Sequence, residues 1–203
     1  MTDTYCYLRI KGKGRDARPL LEDLLASVLP RWQDAGITSW GVFSGLFGVA
    51  SNELIVMAAA EGERGLDAFT GDAKRVGQVQ RSRHLVSTVR PTEIVPLQRP
   101  GLYVFRFFDV YNKDVNEIAQ LSRAAWTTFE NADQYVAEPQ GLFSESDLTK
   151  EQGKMLLLTW YDGLGSWQTS RQPHPEAREN FLRRQALTRR TLALATNLLA
   201  EVP

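Results

Sequence analysis

The sequence repeats itself at a spacing of nearly 100 residues, and this repeat limits the folds that the chain can adopt. A strand-like run around Arg9 recurs around Arg106, 97 residues later. Two further patterns recur in the same order: Gly45-Leu46-Phe47 as Gly141-Leu142-Phe143, and the apolar run 54–60 as 155–161. The spacings of 96 and 101 residues predict about five extra residues in the second copy, within 144–152. Matches in a constant order indicate two copies of one structural unit.

Each copy carries the hydrophobic patterns of a strand, a helix, two strands, a helix and a strand. In the first copy these patterns predict strands over 5–11, 38–47, 53–60 and 84–89, and helices over 17–33 and 66–74. In the second copy they predict strands over 102–110, 136–144 and 154–161, a helix from residue 114 and a helix over 176–189. The tail 192–203 has the composition of a helix, but the repeat predicts a final strand there. Pro30 is expected to end or kink the first helix.

A βαββαβ order is that of the ferredoxin-like fold, an antiparallel sheet with two helices on one face. Two tandem copies leave two uncovered sheet faces, which have to be buried against other elements. We therefore predict an α+β fold in which tandem ferredoxin-like βαββαβ repeats close an α/β barrel with antiparallel sheets or stack sheet on sheet. The first copy is expected over residues 1–97 and the second over 98–203, the two packed as one body.

The charge balance and the cysteine count exclude several classes of protein. The 203 residues include 24 Lys or Arg and 24 Asp or Glu, so the formal net charge is zero. This balance disfavours nucleic acid and membrane surfaces as partners, because both select a basic excess. The single cysteine, Cys6, and two histidines exclude an intrachain disulfide and a four-ligand structural zinc site. With no secretory signal at the first residues, we expect a cytoplasmic protein.

Four features of the sequence together resemble the dimeric α/β-barrel superfamily, and within it the NIPSNAP-like proteins. They are the strand segments Tyr7-Leu8-Arg9 and Val104-Phe105-Arg106, the Gly-Leu-Phe strands, and the segment 170–181 (SRQPHPEARENF). The resemblance covers nearly the whole chain. It implies a small-molecule enzyme or binding protein that is independent of any cofactor. It also implies a pocket between a sheet and its helices that takes an apolar or aromatic compound, and it is compatible with a homodimer.

Four residues are candidates for chemistry in such a pocket. The sequence has no nucleophile elbow, metalloprotease motif or phosphate-binding loop. His174 and His84 are the side chains whose ordinary pKa lies near neutrality, so either is a candidate base. Arg9 and Arg106 are candidates to stabilise an anion. Because both copies carry this arginine, the alternative is an architectural ion pair, with Glu53, Glu61 or Asp162 as the partner.

Aromatic residues on and after the predicted strands are candidates for contacts with the ligand. We select Tyr7, Trp160, Tyr161 and Trp167, the last three because they lead into the loop of His174. Core packing is the alternative role for each of them. The arginines at 183, 184, 189 and 190 are expected on a solvated helix face.

Two further functions remain open from the sequence. Some members of the superfamily hold haem between sheet and helices, which makes His174 or His84 a candidate axial ligand. The other function is a non-catalytic interaction module, in which side chains would fill the space between each sheet and its helices.

Overall fold

The computed structural model describes residues 3–199 of the chain, and within them the backbone forms eight strands and six α-helices. The strands are β1 (Thr4–Lys11), β2 (Ile37–Phe47), β3 (Glu53–Ala60), β4 (Gln78–Ser87), β5 (Leu102–Tyr111), β6 (Ala137–Glu145), β7 (Gln152–Tyr161) and β8 (Thr188–Leu198). The helices are α1 (Arg18–Asp23), α2 (Leu29–Asp34), α3 (Leu66–Val76), α4 (Val115–Glu130), α5 (Leu164–Thr169) and α6 (Pro175–Ala186). The α+β class and the repeated βαββαβ order are confirmed. No helix among these residues is long and apolar enough to cross a membrane.

The chain divides into two compact units, each built on an antiparallel sheet. Within the described residues the first comprises 3–86, Glu93–Pro100 and 194–199, and its strand order is β4-β1-β3-β2 with the end of β8 beside β2. The second comprises Ser87–Thr92 and Gly101–Ala193, with the order β8-β5-β7-β6. Both units therefore have the strand arrangement of the ferredoxin-like fold.

The strand register corrects the alignment of the two copies by one residue. Thr4 pairs with Ala60 in the first unit, and Leu102 pairs with Tyr161 at the same place in the second. Along these strands Arg106, paired with Leu157, corresponds to Leu8, paired with Val56. The predicted equivalence of Arg9 and Arg106 is therefore wrong. Because side chains alternate between the faces of a strand, a slip of one residue exchanges the two faces.

The Gly-Leu-Phe match is also out of register. Phe43 lies opposite Ile55, and Phe143 lies opposite Leu156, so Gly41-Val42-Phe43 is the true counterpart of Gly141-Leu142-Phe143. In both copies the glycine leaves room for the phenylalanine ring two residues later, where an added Cβ would lie within 2.9 Å of ring atoms. The offset between the two copies is therefore 100 residues for β2 and β6, and it is 101 residues for β3 and β7. The second copy has one extra residue between β6 and β7. The predicted five-residue insertion is wrong.

A continuous hydrophobic core fills the space between sheet and helices in the first unit. Cys6, Leu8 and Ile10 on β1 and alternate residues of β3 pack against Leu24 and Trp32 of the helical segment. That segment does not end at Pro30, because the π-helical turn Leu24–Val28 between α1 and α2 accommodates the proline and the helix continues to Asp34. A proline removes one backbone donor, and a π turn is a common way to absorb that loss.

The end of the chain follows the repeat rather than the helix propensity. Helix α6 ends at Ala186, three residues before the predicted end, and β8 begins at Thr188. The predicted final strand is confirmed to Leu198, and the rest of that prediction, at residues 200–203, lies outside the described part. Pairing of β8 with β2, from Phe43 opposite Leu198 to Phe47 opposite Ala195, explains why a segment rich in Ala and Leu is extended. Sheet pairing outweighs the small differences in intrinsic propensity.

Candidate functional site

A pocket of about 310 Å³ lies in the second unit, between the sheet and the helices that cover it. Its floor is formed by β5 and β7, its walls by α4 and α6, and its rim by the loop before α6 and the start of β8. Aromatic rings supply much of the wall, namely Phe108, Trp126, Phe129 and Phe181. The rings of Phe129 and Phe181 meet edge to face with centroids 5.6 Å apart, which fixes α6 against α4.

Arg106 and Tyr161 form the polar floor of this pocket. Arg106 lies on β5 and Tyr161 on β7, and the interaction of Arg106 with the Tyr161 hydroxyl partly offsets the lowering of the Arg106 pKa by burial. A guanidinium has donors only, so toward Arg106 the Tyr161 oxygen can act only as an acceptor, and its own proton can be donated elsewhere. Burial is the main cause that lowers the pKa of Arg106, although part of its side chain still faces the pocket.

Arg184 enters the pocket from α6. Only 7% of this residue is exposed, and its guanidinium lies 5.2 Å from the ring centre of Phe108 and 4.7 Å from that of Phe181. Its Nη1 donates to the Ser122 hydroxyl over 3.3 Å, and that hydroxyl in turn donates to the Ile118 carbonyl over 2.8 Å. Burial and the positive charge of Arg106 lower the pKa of Arg184 to about 9, so it stays protonated at neutral pH.

The pocket has an excess of positive charge. The exposed Arg171 and Arg178 line the pocket together with the buried Arg184 and the half-buried Arg106. Among residues 3–199 no Asp or Glu lines the pocket, and neither Arg106 nor Arg184 has a carboxylate within 4.0 Å. Buried charges in proteins are ordinarily paired, because desolvation costs several kcal/mol per ion. This pocket therefore contains cations whose counter-charge the described chain does not supply.

The first unit shows what the same fold contains when it holds no such pocket. Where the second unit has Arg106, Thr159 and Tyr161, the equivalent residues of the first are Leu8, Ala58 and Ala60. Those three are fully buried in the hydrophobic core against the helices. The apolar version fills the layer between sheet and helices, so the polar residues of the second unit are not required by the fold itself.

A larger cavity of about 540 Å³ lies in the first unit and is less suited to specific chemistry. It is lined by the end of α2, the start of β2 and the segment of Ile94 and Pro96. Its charged residues are of both signs, Glu61 and Arg64. Size alone does not make a site; the smaller pocket combines aromatic walls with convergent polar groups, the usual composition of ligand sites.

Of the eight residues predicted for the site, Arg106 and Tyr161 line the pocket. Arg9 lies in the first unit and forms an ion pair with Glu53, its Nε donating to the carboxylate over 2.6 Å. This is the architectural role considered for Arg9, with one of the expected partners. Arg106 has no such partner, so the two arginines have different roles.

The histidines do not line this pocket. His174 is exposed and serves as the N-cap of α6, where its Nδ1 accepts from the Glu176 backbone N–H over 3.4 Å. Pro175 follows at the first helical position, which suits a residue without an N–H. His84 lies on β4 opposite Cys6 in the first unit.

The other aromatic candidates also lie outside the pocket. Tyr7 is 1% exposed on β1, and burial raises its pKa to about 12. Trp160 neighbours Tyr161 on β7, so it points to the opposite face of that strand and packs there beside Gly101. Trp167 is half-buried on α5.

The sequence contained a signal for Arg184 that the prediction of a solvated face missed. Ala177, Phe181 and Arg184 are spaced by four and three residues, so they share one face of α6. Ala177 is fully buried and Phe181 lines the pocket, which places Arg184 on the inner face. The prediction of a solvated face is wrong for Arg184, while Arg183 is exposed as expected.

Haem needs an axial ligand, and the pocket does not provide the one predicted for it. Neither His174 nor His84 lines it, and no Cys or Met does so among the described residues. Over the same residues no group of three or more His, Cys, Asp or Glu side chains could hold a metal ion. The donor set of this pocket therefore does not fit histidine-ligated haem.

Solved structures share this fold at low sequence identity. The structure of an anthrone oxidase-like protein superimposes with a TM-score of 0.62 and 12% sequence identity. The match covers 98% of this chain and 92% of that protein's chain. For a mutant chlorite dismutase from Candidatus Nitrospira defluvii, the match covers 98% of this chain and 92% of the other, with a TM-score of 0.60 and 11% sequence identity. A ferredoxin-fold protein from Listeria monocytogenes, related to antibiotic biosynthesis monooxygenases, matches with a TM-score of 0.53 and 10% sequence identity. The match covers 98% of this chain and 95% of the other.

No protein-family model matches the chain, and no curated protein sequence matches it. At identities near 10% the structural likenesses establish the fold alone. They agree with the ferredoxin-like fold of the two units.

Proposed function

We propose that this protein binds an apolar or aromatic small molecule in the second-unit pocket, between the sheet and the helices α4 and α6. The observation that carries the proposal is the contrast between the two units. The first unit fills this layer with Leu8, Ala58 and Ala60, whereas the second has Arg106, Thr159 and Tyr161 around a cavity. Apolar side chains can fill the layer between the sheet and the helices of this fold. A copy in which this layer instead holds a pocket with polar groups has the usual composition of a ligand site.

The chemistry of the lining favours binding and electrostatic stabilisation over proton abstraction. Among the described residues the lining has no imidazole, thiol or carboxylate that could act as a general base. Arg106 and Arg184 can stabilise negative charge on a bound molecule, the role that such donors have in many enzymes. If the protein is an enzyme, these two residues are the ones that we expect to contact the reacting atoms.

The fold neighbours are compatible with this proposal. One is described as anthrone oxidase-like and another as related to antibiotic biosynthesis monooxygenases, which supports a role with small molecules in this fold. Independence of any cofactor is part of this proposal and rests on the sequence resemblance. Two narrower assignments, a NIPSNAP-like protein and a homodimer, rest on the sequence resemblance, and sedimentation equilibrium would test the homodimer. The assignment to the cytoplasm rests on the cysteine count and the first residues of the sequence.

A neutral aromatic probe tests the pocket directly. N-phenyl-1-naphthylamine becomes fluorescent in apolar surroundings, so we expect it to bind the wild-type protein with a saturable increase in emission. Thr191 is exposed at the rim, and T191W should block the pocket and reduce the affinity at least tenfold. L192W is the matched control, because Leu192 is exposed on the opposite face of β8 and does not line the pocket. Absence of saturable binding, or equal loss in both variants, would refute the proposal.

A further inference from the structure

Two guanidinium groups face the same pocket with no carboxylate to balance them. Arg184 is buried, with 7% of its surface exposed, and Arg106 lies on the strand beneath it. Among residues 3–199 neither has a carboxylate within 4.0 Å. The repulsion between them is large enough to contribute to the lowered pKa of Arg184. Two cations that face one pocket with no acidic residue beside them favour the binding of an anion there.

The surroundings of Arg184 hold its charge in place. The rings of Phe108 and Phe181 lie against the guanidinium, and the Ser122 hydroxyl oxygen accepts a hydrogen bond from one of its N–H groups. A guanidinium has five N–H donors, so this arrangement leaves donors available for a ligand. The Ser122 oxygen is itself committed to the Ile118 carbonyl as a donor, which orients its lone pairs toward the arginine.

Tyr161 adds a third donor to the same place. Toward the guanidinium of Arg106 its oxygen can act only as an acceptor, so its phenolic proton can be donated to another neighbouring acceptor. Within the described chain no carboxylate lines the pocket to take that proton. An oxyanion placed between Arg106 and Arg184 would accept from both guanidinium groups and from this hydroxyl.

We propose that the natural ligand is an oxyanion on an apolar ring system, an aromatic carboxylate or a comparably acidic phenol or enol, whose charged oxygens bind Arg106, Arg184 and the Tyr161 hydroxyl. This inference rests on the proposed function and specifies its ligand. The aromatic walls, including Phe129 and Trp126, contact the ring system, and the exposed Arg171 and Arg178 at the rim attract the anion on its way in. A bound anion supplies the counter-charge that Arg106 and Arg184 lack.

Calorimetric titration with 2-naphthoate and 2-naphthamide tests this inference, because the two differ by charge and scarcely in shape. We expect the carboxylate to bind the wild-type protein about tenfold or more tightly than the carboxamide, the ratio that one hydrogen bond to a charged group contributes. Acetate, a carboxylate without a ring, should bind far more weakly than 2-naphthoate. Comparable binding of acetate and 2-naphthoate would mean that the pocket selects small anions, and would overturn the ring requirement.

Variants assign the effect to particular residues. R184M and R106M should each reduce the affinity for 2-naphthoate at least tenfold, and by a larger factor than the affinity for 2-naphthamide, whose oxygen accepts hydrogen bonds but carries no charge. R183M is the matched control, since Arg183 is exposed on the same turn of α6 and does not line the pocket, and it should change neither. Two separate arginine variants, each checked for a cooperative thermal transition, keep the test valid if one of them fails to fold.

The outcomes separate this inference from the proposed function. Equal binding of 2-naphthoate and 2-naphthamide would overturn the anion inference and leave small-molecule binding in the pocket intact. Failure of both compounds and of N-phenyl-1-naphthylamine to bind would overturn the proposed function and the inference with it. Charge-dependent binding that R184M and R106M do not alter would place the anion elsewhere on the protein and would overturn the inference.

Discussion

Replacing Arg184 by methionine removes a buried guanidinium and keeps much of the apolar volume of the side chain. The ligand-free protein has to hold this cation at 7% exposure, with Arg106 nearby and no carboxylate within 4.0 Å in the described chain. A thioether in the same place would meet the rings of Phe108 and Phe181, which are favourable neighbours for sulfur. We therefore expect R184M to make the ligand-free protein more stable while it weakens anion binding.

The size of this effect follows from opposing contributions. Lowering the pKa of Arg184 from 12.5 to about 9 corresponds to roughly 5 kcal/mol by which the site disfavours the charged form. The two ring contacts return about 1 to 2 kcal/mol, and the hydrogen bond to Ser122 about 1 kcal/mol. The remainder is a gain of about 2 kcal/mol for R184M, within the range reported for apolar replacement of buried ionic groups. For a chain of 203 residues this corresponds to a rise in Tm of about 4 to 8 °C.

Thermal and urea unfolding in a chloride buffer free of sulfate, phosphate and carboxylates would measure the change. R183M serves as the control and should unfold within about 0.5 kcal/mol of the wild type, because Arg183 is exposed. Adding 2-naphthoate should then stabilise the wild type by mass action, and the same concentration should stabilise R184M much less. A loss of more than about 1 kcal/mol in R184M, with R183M unchanged, would show that Arg184 is a satisfied structural cation and would refute the reasoning.

Three further predictions concern residues outside the pocket. R9M should lower the free energy of unfolding by about 2 kcal/mol, because it leaves the Glu53 carboxylate 8% exposed without its partner; urea unfolding should show partial recovery in R9M/E53Q, and no recovery would contradict a direct ion pair. Cys6 should react with a thiol reagent only after unfolding, since burial raises its pKa to about 12 and leaves no exposed surface; stoichiometric labelling of the native protein within minutes would contradict this. H174A should cost at most about 0.5 kcal/mol and leave the affinity for 2-naphthoate unchanged, whereas a tenfold loss of affinity would place His174 in the site.

The order of elements could be predicted from the sequence because the relevant signals are local. The alternation along β1 and the helical spacing of α4 were visible in short windows, and the repeat placed β8 against the helix propensity of its own residues. The π turn before α2 and the short helix α5 were missed, because a proline within a helix and a single helical turn give weak patterns.

The site could be predicted only in part. Two of the predicted residues, Arg106 and Tyr161, line the candidate pocket, and their role in binding stays a prediction. The prediction that paired Arg9 with Arg106 used an alignment that is one residue out of register. Short matches do not fix a register, whereas the pairing of whole strands does. Arg184 was assigned to the solvent because its neighbours in sequence are charged, although its spacing from Ala177 places it on the buried face.

The sequence by itself determined the composition of each layer: which residues form strands, which form helices, and that one unit occurs twice. Tertiary structure decided which faces meet. Arg106 and Arg184 are 78 residues apart, and they share a pocket because β5 presents one of its two faces to α6. Residues alternate between opposite faces of a strand, so a register that differs by one residue would have placed Phe107 in that pocket and Arg106 on the other side of the sheet.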